Sequence, residues 1–171
     1  MAIISSLEKE QIDEAIKSIY EEFEGKGKKV PEWIKVMAHS PEILKEFKEL
    51  FTVIMTKGKI ESLLKWKIAY TVSQNLKCSF CVDVTKKMLK KLGADEETMK
   101  KIENSKDLSE EESQVLKLVK EVTLKANICT PELLPKLKEK FSEEQIVEIV
   151  SIIGLFNYIN RFNNTFCILP E

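Results

Sequence analysis

The sequence predicts an all-α protein, a single-domain multihelical bundle that covers residues 1–171. Only five glycines and five prolines interrupt the 171 residues, so most of the chain runs in long segments without helix breakers. In those segments apolar residues recur at the spacing of one helix face, and no segment shows the alternation of a strand. The length is sufficient for one substantial core and does not require a second domain.

The charge balance excludes several classes of partner. Lysine and arginine total 27 against 28 aspartates and glutamates, for a formal net charge of -1, so no overall field favours nucleic acid or an anionic membrane. With 32% charged and 43% hydrophobic residues, the chain is too apolar for a disordered protein and too charged for a membrane protein. The N-terminus lacks a basic start followed by a long apolar stretch, so we expect a cytoplasmic protein.

The first helix is predicted from a capping box formed by Ser5 and Glu8, and it ends near Gly25. Its apolar stripe consists of Ile12, Ile16, Ile19, Tyr20 and Phe23. A loop rich in lysine and glycine follows. Pro31 then opens a short helix, because proline is favoured at the first helical position.

Three further helices are predicted in the middle of the chain. Pro41 opens the first, which stops at Gly58. One face of it is predicted to carry Ile43, Phe47, Leu50, Phe51 and Ile54. From residue 60 to 76 apolar side chains cover most of the circumference, which indicates a helix packed on several sides. The helix after that ends at Gly93, and a small one follows near residues 96 to 102.

Two more capping boxes mark the last third of the chain. Ser109 with Glu112 and Ser142 with Gln145 each precede a helix, and Pro131 begins a helix between them. The final helix is nearly apolar all round, so it is central or lies in a subunit contact. Its far end becomes polar, and we expect these side chains to tie helix ends together, with a lining role second: Asn157, Tyr158, Asn160, Arg161, Asn163 and Asn164.

The feature richest in chemistry is a pair of cysteines three apart, Cys78 and Cys81. Their spacing lets one sulfur attack the other, and the pair stands where a helix begins. The positive end of the helix dipole favours thiolate over thiol there. A disulfide between them closes only a tiny loop, which makes it a poor structural staple and a better reversible switch. Redox chemistry is therefore the first hypothesis.

Two other readings of the pair stay open at this point. Buried cysteines are often inert small hydrophobes, and two on one turn can be simple core residues. A structural zinc site is a weaker alternative because it needs four ligands, and beyond the pair the chain offers only Cys129, Cys167 and the single histidine, His39. We expect no metal and no organic cofactor. Cys129 and Cys167 have no predicted role beyond packing.

Three segments in order carry a resemblance to a known family. They are SPEILKEF at residues 40–47, CSFC at 78–81 and LFNYINRF at 155–162, joined by LSEE at 108–111. Together they resemble the carboxymuconolactone decarboxylase and alkyl hydroperoxidase D-like family. The resemblance implies an all-helical fold and a homo-oligomer, often a trimer or hexamer. For active members it also implies reduction of a small peroxide or disulfide substrate by the cysteine pair, an antioxidant activity that needs an external dithiol reductant.

The chain departs from this family's redox motif at two positions. The motif has a glutamate twelve residues before the first cysteine and a histidine four residues after the second. Here Trp66 and Thr85 stand at those positions, so the relay that would move protons is missing. The hydroxyl of Thr85 can hydrogen-bond a Cys81 thiolate but is no base near neutral pH. Efficient peroxidase activity is accordingly expected to be weakened.

The choice of attacking sulfur divides the two lines of argument. The helix dipole favours Cys78, while the resemblance points to Cys81 as the thiolate that meets the peroxide and to Cys78 as the resolving thiol. We favour Cys81.

Four residues are weaker candidates for supporting roles, and capping, packing or a solvated face explains each of them: His39, Tyr70, Lys86 and Lys87. The rival function is a non-enzymatic oligomeric scaffold or binding module with vestigial cysteines.

Overall fold

A computed structural model describes residues 2–125 and 132–170. In that part of the chain nine α-helices form, and the predicted all-helical fold is confirmed. The predicted helix start at Pro131, like Cys129, lies outside the described residues. The helices are α1 Lys17–Glu24, α2 Glu32–Met37, α3 Pro41–Thr56, α4 Ser62–Asn75, α5 Ser79–Lys91, α6 Glu96–Asn104, α7 Glu110–Leu124, α8 Leu133–Lys138 and α9 Glu143–Thr165.

The start of the first helix differs from the prediction. Two 3-10 turns, Lys9–Gln11 and Glu14–Ile16, precede α1. At the second turn the Asp13 carboxylate accepts a hydrogen bond of 2.8 Å from the backbone N–H of Ala15. Such short polar side chains offer the backbone a local alternative to the helix, and here that alternative delays α1 to Lys17.

Helix α4 lies at the centre of the bundle and packs on α5, α7 and α9. Nine consecutive residues, from Lys65 to Ser73, are buried, as the apolar circumference of this segment predicts. The capping boxes at Ser109 and Ser142 form as predicted and begin α7 and α9. Of the described helices, none has both the length and the apolarity that crossing a membrane requires.

Helices α3 and α9 leave apolar side chains exposed where they adjoin. Ile43 and Leu50, which the prediction placed with the packed face of α3, are 51% and 52% exposed. Phe47 of the predicted face is buried, and the other buried residues of α3 are Leu44 and Met55. A groove of about 480 Å³ runs between the two helices and is lined mainly by apolar side chains, including Ile43, Leu50 and Tyr158. The helices also expose Val53, Val147 and Val150.

A buried ion pair fastens the turn between α3 and α4 to α9. The Lys65 ammonium lies 2.5 Å from the Glu148 carboxylate, and their side chains are 3% and 11% exposed. Lys65 also donates to the carbonyls of Ile54 and Lys57 at the end of α3. Gly58, with φ of 93°, lets the turn approach so closely that a Cβ atom there would collide with Glu148.

Candidate functional site

The short connection from α4 to α5 positions both cysteines. Lys77 takes a left-handed conformation with φ of 55°, and the N–H of Cys78 then donates to the carbonyl of Ser73 at 3.2 Å. Cys78 is the N-cap of α5, and its sulfur accepts a hydrogen bond of 3.3 Å from the backbone N–H of Cys81. The sulfur of Cys78 therefore faces the positive end of the helix dipole.

Cys78 and Cys81 are joined as a disulfide, and their Cα atoms are 5.3 Å apart. Cys78 is fully buried, whereas Cys81, which is 4% exposed, lines a partly open cavity. The two cysteines thus have different surroundings in the structure. Cys78 caps a helix and is buried, and Cys81 borders a space that a small molecule can occupy.

The cavity beside Cys81 has a volume of about 250 Å³. Side chains from α1, α2, α3, α4, α5 and α9, together with Pro31 just before α2, form its wall. Seven of the lining residues are aromatic: Phe23, Trp33, Phe47, Phe51, Trp66, Phe80 and Phe156. Trp66 packs edge-on against Phe156, with ring centroids 6.0 Å apart. The wall is therefore a rigid aromatic surface that fits apolar matter.

Asn163 of α9 is the site residue that the sequence did not single out. Its amide Nδ2 donates a hydrogen bond of 3.3 Å to the sulfur of Cys81, across 82 positions of sequence. Asn163 is 1% exposed, and its Oδ1 finds no hydrogen-bond partner among the described residues. The polar end of α9 was the available signal. There Asn164 does tie helix ends together, by donating to the carbonyl of Leu76 at 3.0 Å, while Asn163 lines the cavity.

Thr85 and Trp66, the residues at the family's histidine and glutamate positions, both line the cavity. The Thr85 hydroxyl donates to the backbone carbonyl of Cys81 at 2.7 Å. A hydroxyl has one proton to donate, so the predicted hydrogen bond from Thr85 to the Cys81 sulfur is not made in this structure. Trp66 forms part of the apolar wall and has no group that transfers protons near neutral pH.

The weaker candidates lie away from the cavity. His39 is exposed, and its Nε2 pairs with the carbonyl of Ser5 at 2.8 Å. Lys86 and Lys87 form surface ion pairs. Tyr70 donates to Glu103, and burial, followed by that hydrogen bond, raises the pKa of its phenol. The structure assigns none of these four to the wall around Cys81.

Among the described residues that line the cavity, Lys48 is the only charged one. Its ammonium lies 2.5 Å from the carboxylate of Glu22. Hydrogen bonds from Lys26 and Lys48 lower the pKa of Glu22 to about 2, so this carboxylate stays ionised. The lysine charge is therefore neutralised by Glu22, and no histidine or carboxylate from the described residues lines the cavity.

A curated relative and a solved structure decide the family. The chain is 34% identical over 100 residues to the uncharacterized protein YdfG of Bacillus subtilis, and the alignment spans 56% of this chain and 68% of YdfG. A protein of unknown function from Agrobacterium tumefaciens, provisionally assigned as the antioxidant defence protein AhpD, is 26% identical, with a TM-score of 0.70 over 79% of this chain and 94% of that one. The chain belongs to the alkyl hydroperoxidase D-like family. No protein-family model matches it.

Two other solved structures share the fold of this family member. An uncharacterized peroxidase-related protein with an AhpD core from Ralstonia eutropha has a TM-score of 0.87 at 19% identity, over 99% of this chain and 92% of that one. The debrominase Bmp8 has a TM-score of 0.83 at 22% identity, again over 99% and 92%. The fold therefore carries more than one chemistry. The disulfide between Cys78 and Cys81 fits a redox role.

Proposed function

We propose that the protein is a thiol-dependent oxidoreductase, and that Cys78 and Cys81 cycle between dithiol and disulfide while they reduce an organic peroxide or disulfide. One observation carries this proposal: the bonded pair presents one sulfur, that of Cys81, to a cavity large enough for a small substrate. A pair of core cysteines with no chemistry would need no such space.

With a peroxide as substrate, the reaction cycle begins at Cys81. The Cys81 thiolate attacks the terminal oxygen of the substrate, the O–O bond breaks, and the departing alkoxide takes a proton from water. The resulting sulfenic acid reacts with the Cys78 thiol to give the disulfide and water. An external dithiol then reduces the disulfide and is itself oxidised. A reducing compartment such as the cytoplasm supplies such a reductant.

The assignment of roles follows from the different surroundings of the two sulfurs. Cys81 borders the cavity and receives a hydrogen bond from the Asn163 amide, a contact that stabilises a thiolate in the reduced protein. Cys78 caps α5, where the helix dipole favours a thiolate ready to resolve the sulfenic acid. With Thr85 bound to a carbonyl and no acid or base at hand, we expect slower peroxide reduction than in members that keep the relay.

A thiol count tests the proposed function. The fully reduced protein is treated with cumene hydroperoxide, quenched with an alkylating agent and analysed by mass spectrometry. We expect an intramolecular disulfide between Cys78 and Cys81 to form without denaturant, because the cavity gives the oxidant access to Cys81. Cysteines that react only after denaturation would instead support the rival function, a scaffold or binding module with vestigial cysteines.

We also propose that the protein works as a homo-oligomer, a trimer or hexamer, with the apolar groove between α3 and α9 in the subunit contact. The exposed side chains of Ile43, Leu50 and Tyr158, which line the groove, support this, because patches of this kind are rarely left uncovered. In size-exclusion chromatography with light scattering, we expect a trimer or hexamer at micromolar concentration and a smaller species for Leu50→Asp. Leu92→Asp, at the exposed C-cap of α5, is the control expected to change nothing. A wild-type monomer would contradict the proposal.

A further inference from the structure

We infer that the cavity beside Cys81 binds a small aromatic molecule whose single O–H or N–H donor is accepted by the Oδ1 atom of Asn163. This inference deepens the proposed function, on which it rests, by naming the substrate class of the same site. It depends on two features of the cavity: its size and aromatic wall, and the buried, unpartnered acceptor of Asn163, which belongs to the lining.

The size and aromatic wall of the cavity determine which ring system the ligand can have. A cavity of about 150 Å³ lined by apolar side chains holds benzene in another protein. At about 250 Å³ this one admits a substituted ring or two fused rings. Aromatic walls favour a flat ring through stacked and edge-on contacts. A highly charged ligand would lose its hydration without compensation, because Lys48 already pairs with Glu22.

The Asn163 amide determines which polar group the ligand needs, namely a hydrogen-bond donor. One N–H of its nitrogen is donated to the sulfur of Cys81, and its carbonyl oxygen is buried without a partner among the described residues. A buried acceptor left unpaired costs free energy that a ligand donor recovers. Because donor and acceptor belong to one amide, the atom that holds the ligand lies beside the sulfur that would react with it.

The hydroxyl of Thr85, which also lines the cavity, favours a hydrogen-bond donor on the ligand as well. Thr85 has committed its proton to the carbonyl of Cys81, so only its lone pairs remain for a ligand. Thr85 and the Oδ1 atom of Asn163 therefore both offer acceptors to the ligand. A molecule that carries an acceptor in place of the donor would leave the Oδ1 atom of Asn163 unpaired. The site thus distinguishes donors from acceptors of equal shape.

Indole and benzofuran form a matched pair of probes for this inference. They share the fused-ring shape, but indole carries an N–H where benzofuran carries an oxygen. Their binding to the oxidised wild-type protein is measured by isothermal titration calorimetry. We expect indole to bind about tenfold more tightly than benzofuran, the effect of one hydrogen bond to a buried acceptor.

Asn163→Leu is expected to abolish the preference for indole and to leave benzofuran binding unchanged or stronger. Asn160→Leu is the matched control. Asn160 lies one turn earlier on α9, is fully buried and also has an unpartnered Oδ1, but it does not line the cavity. This variant is expected to keep the wild-type preference.

Equal affinity of the wild type for the two probes, or binding of neither, would overturn the inference. That result needs no variant, so it stands even if Asn163→Leu fails to fold. A preference for indole that survives in Asn163→Leu would overturn it as well. Because the oxidised protein does not turn over, these outcomes are independent of the thiol count. The redox function can fail while the aromatic site stands, and the reverse.

Discussion

Cys81→Ser is expected to abolish oxidant-driven turnover, with a loss on the order of a thousandfold or more, as removal of a catalytic nucleophile produces. Cys78→Ser is expected to retain one reaction with the oxidant and then to stop. The reason is the geometry of the pair, in which Cys81 lines the cavity while Cys78 is sealed at the N-terminus of α5. Without Cys78 the sulfenic acid on Cys81 has no neighbouring thiol to condense with.

Trapping the sulfenic acid with dimedone and measuring the mass of the protein by mass spectrometry distinguishes the two variants. We expect one adduct per chain in Cys78→Ser and none in Cys81→Ser. Cys167→Ser, which removes an exposed free cysteine far along the sequence, is the control and should behave as wild type. The opposite pattern, with the adduct in Cys81→Ser, would show that the helix dipole and not access decides which sulfur attacks.

The helices with strong end signals could be predicted from the sequence, and the N-terminal segment could not. Ser109 and Ser142 each carry a partner three residues on, and both helices begin at these boxes. The residues before α1 also have a helical stripe, but local side-chain hydrogen bonds such as that of Asp13 hold them in 3-10 turns. Periodicity reports which face is apolar and does not report which local hydrogen bonds compete with the helix.

The site was predictable where it is local in sequence. The spacing of Cys78 and Cys81 predicts a disulfide within one turn, and the pair forms one. Asn163 could not be selected from the several asparagines of α9, because its contact with Cys81 depends on how α9 docks against α5. The cavity wall has the same origin, since its aromatic residues come from several helices whose packing the sequence pattern does not fix.

Removal of the buried lysine is expected to have the largest effect on stability. In Lys65→Met the Glu148 carboxylate keeps its buried position without its ammonium partner, and the free energy of unfolding should fall by about 3–5 kcal/mol. Urea unfolding at fixed protomer concentration measures this change. Lys87→Met removes an exposed pair with Asp83 and should cost no more than about 0.5 kcal/mol. Equal losses in the two variants would contradict the argument from burial.

The same ion pair predicts a pH dependence of stability. Burial alone would raise the pKa of Glu148, but hydrogen bonds from Lys65 and the backbone N–H groups of Lys59 and Ile60 outweigh it and lower the pKa below the ordinary 4.5. A carboxylate whose pKa is depressed by folding stabilises the folded state above its unfolded pKa, and this contribution is lost as the pH falls through the folded value. Wild-type stability should therefore drop below about pH 4.5. In Glu148→Gln that part of the drop should disappear, because glutamine does not titrate, and an unchanged acid profile would place the sensitivity in other carboxylates.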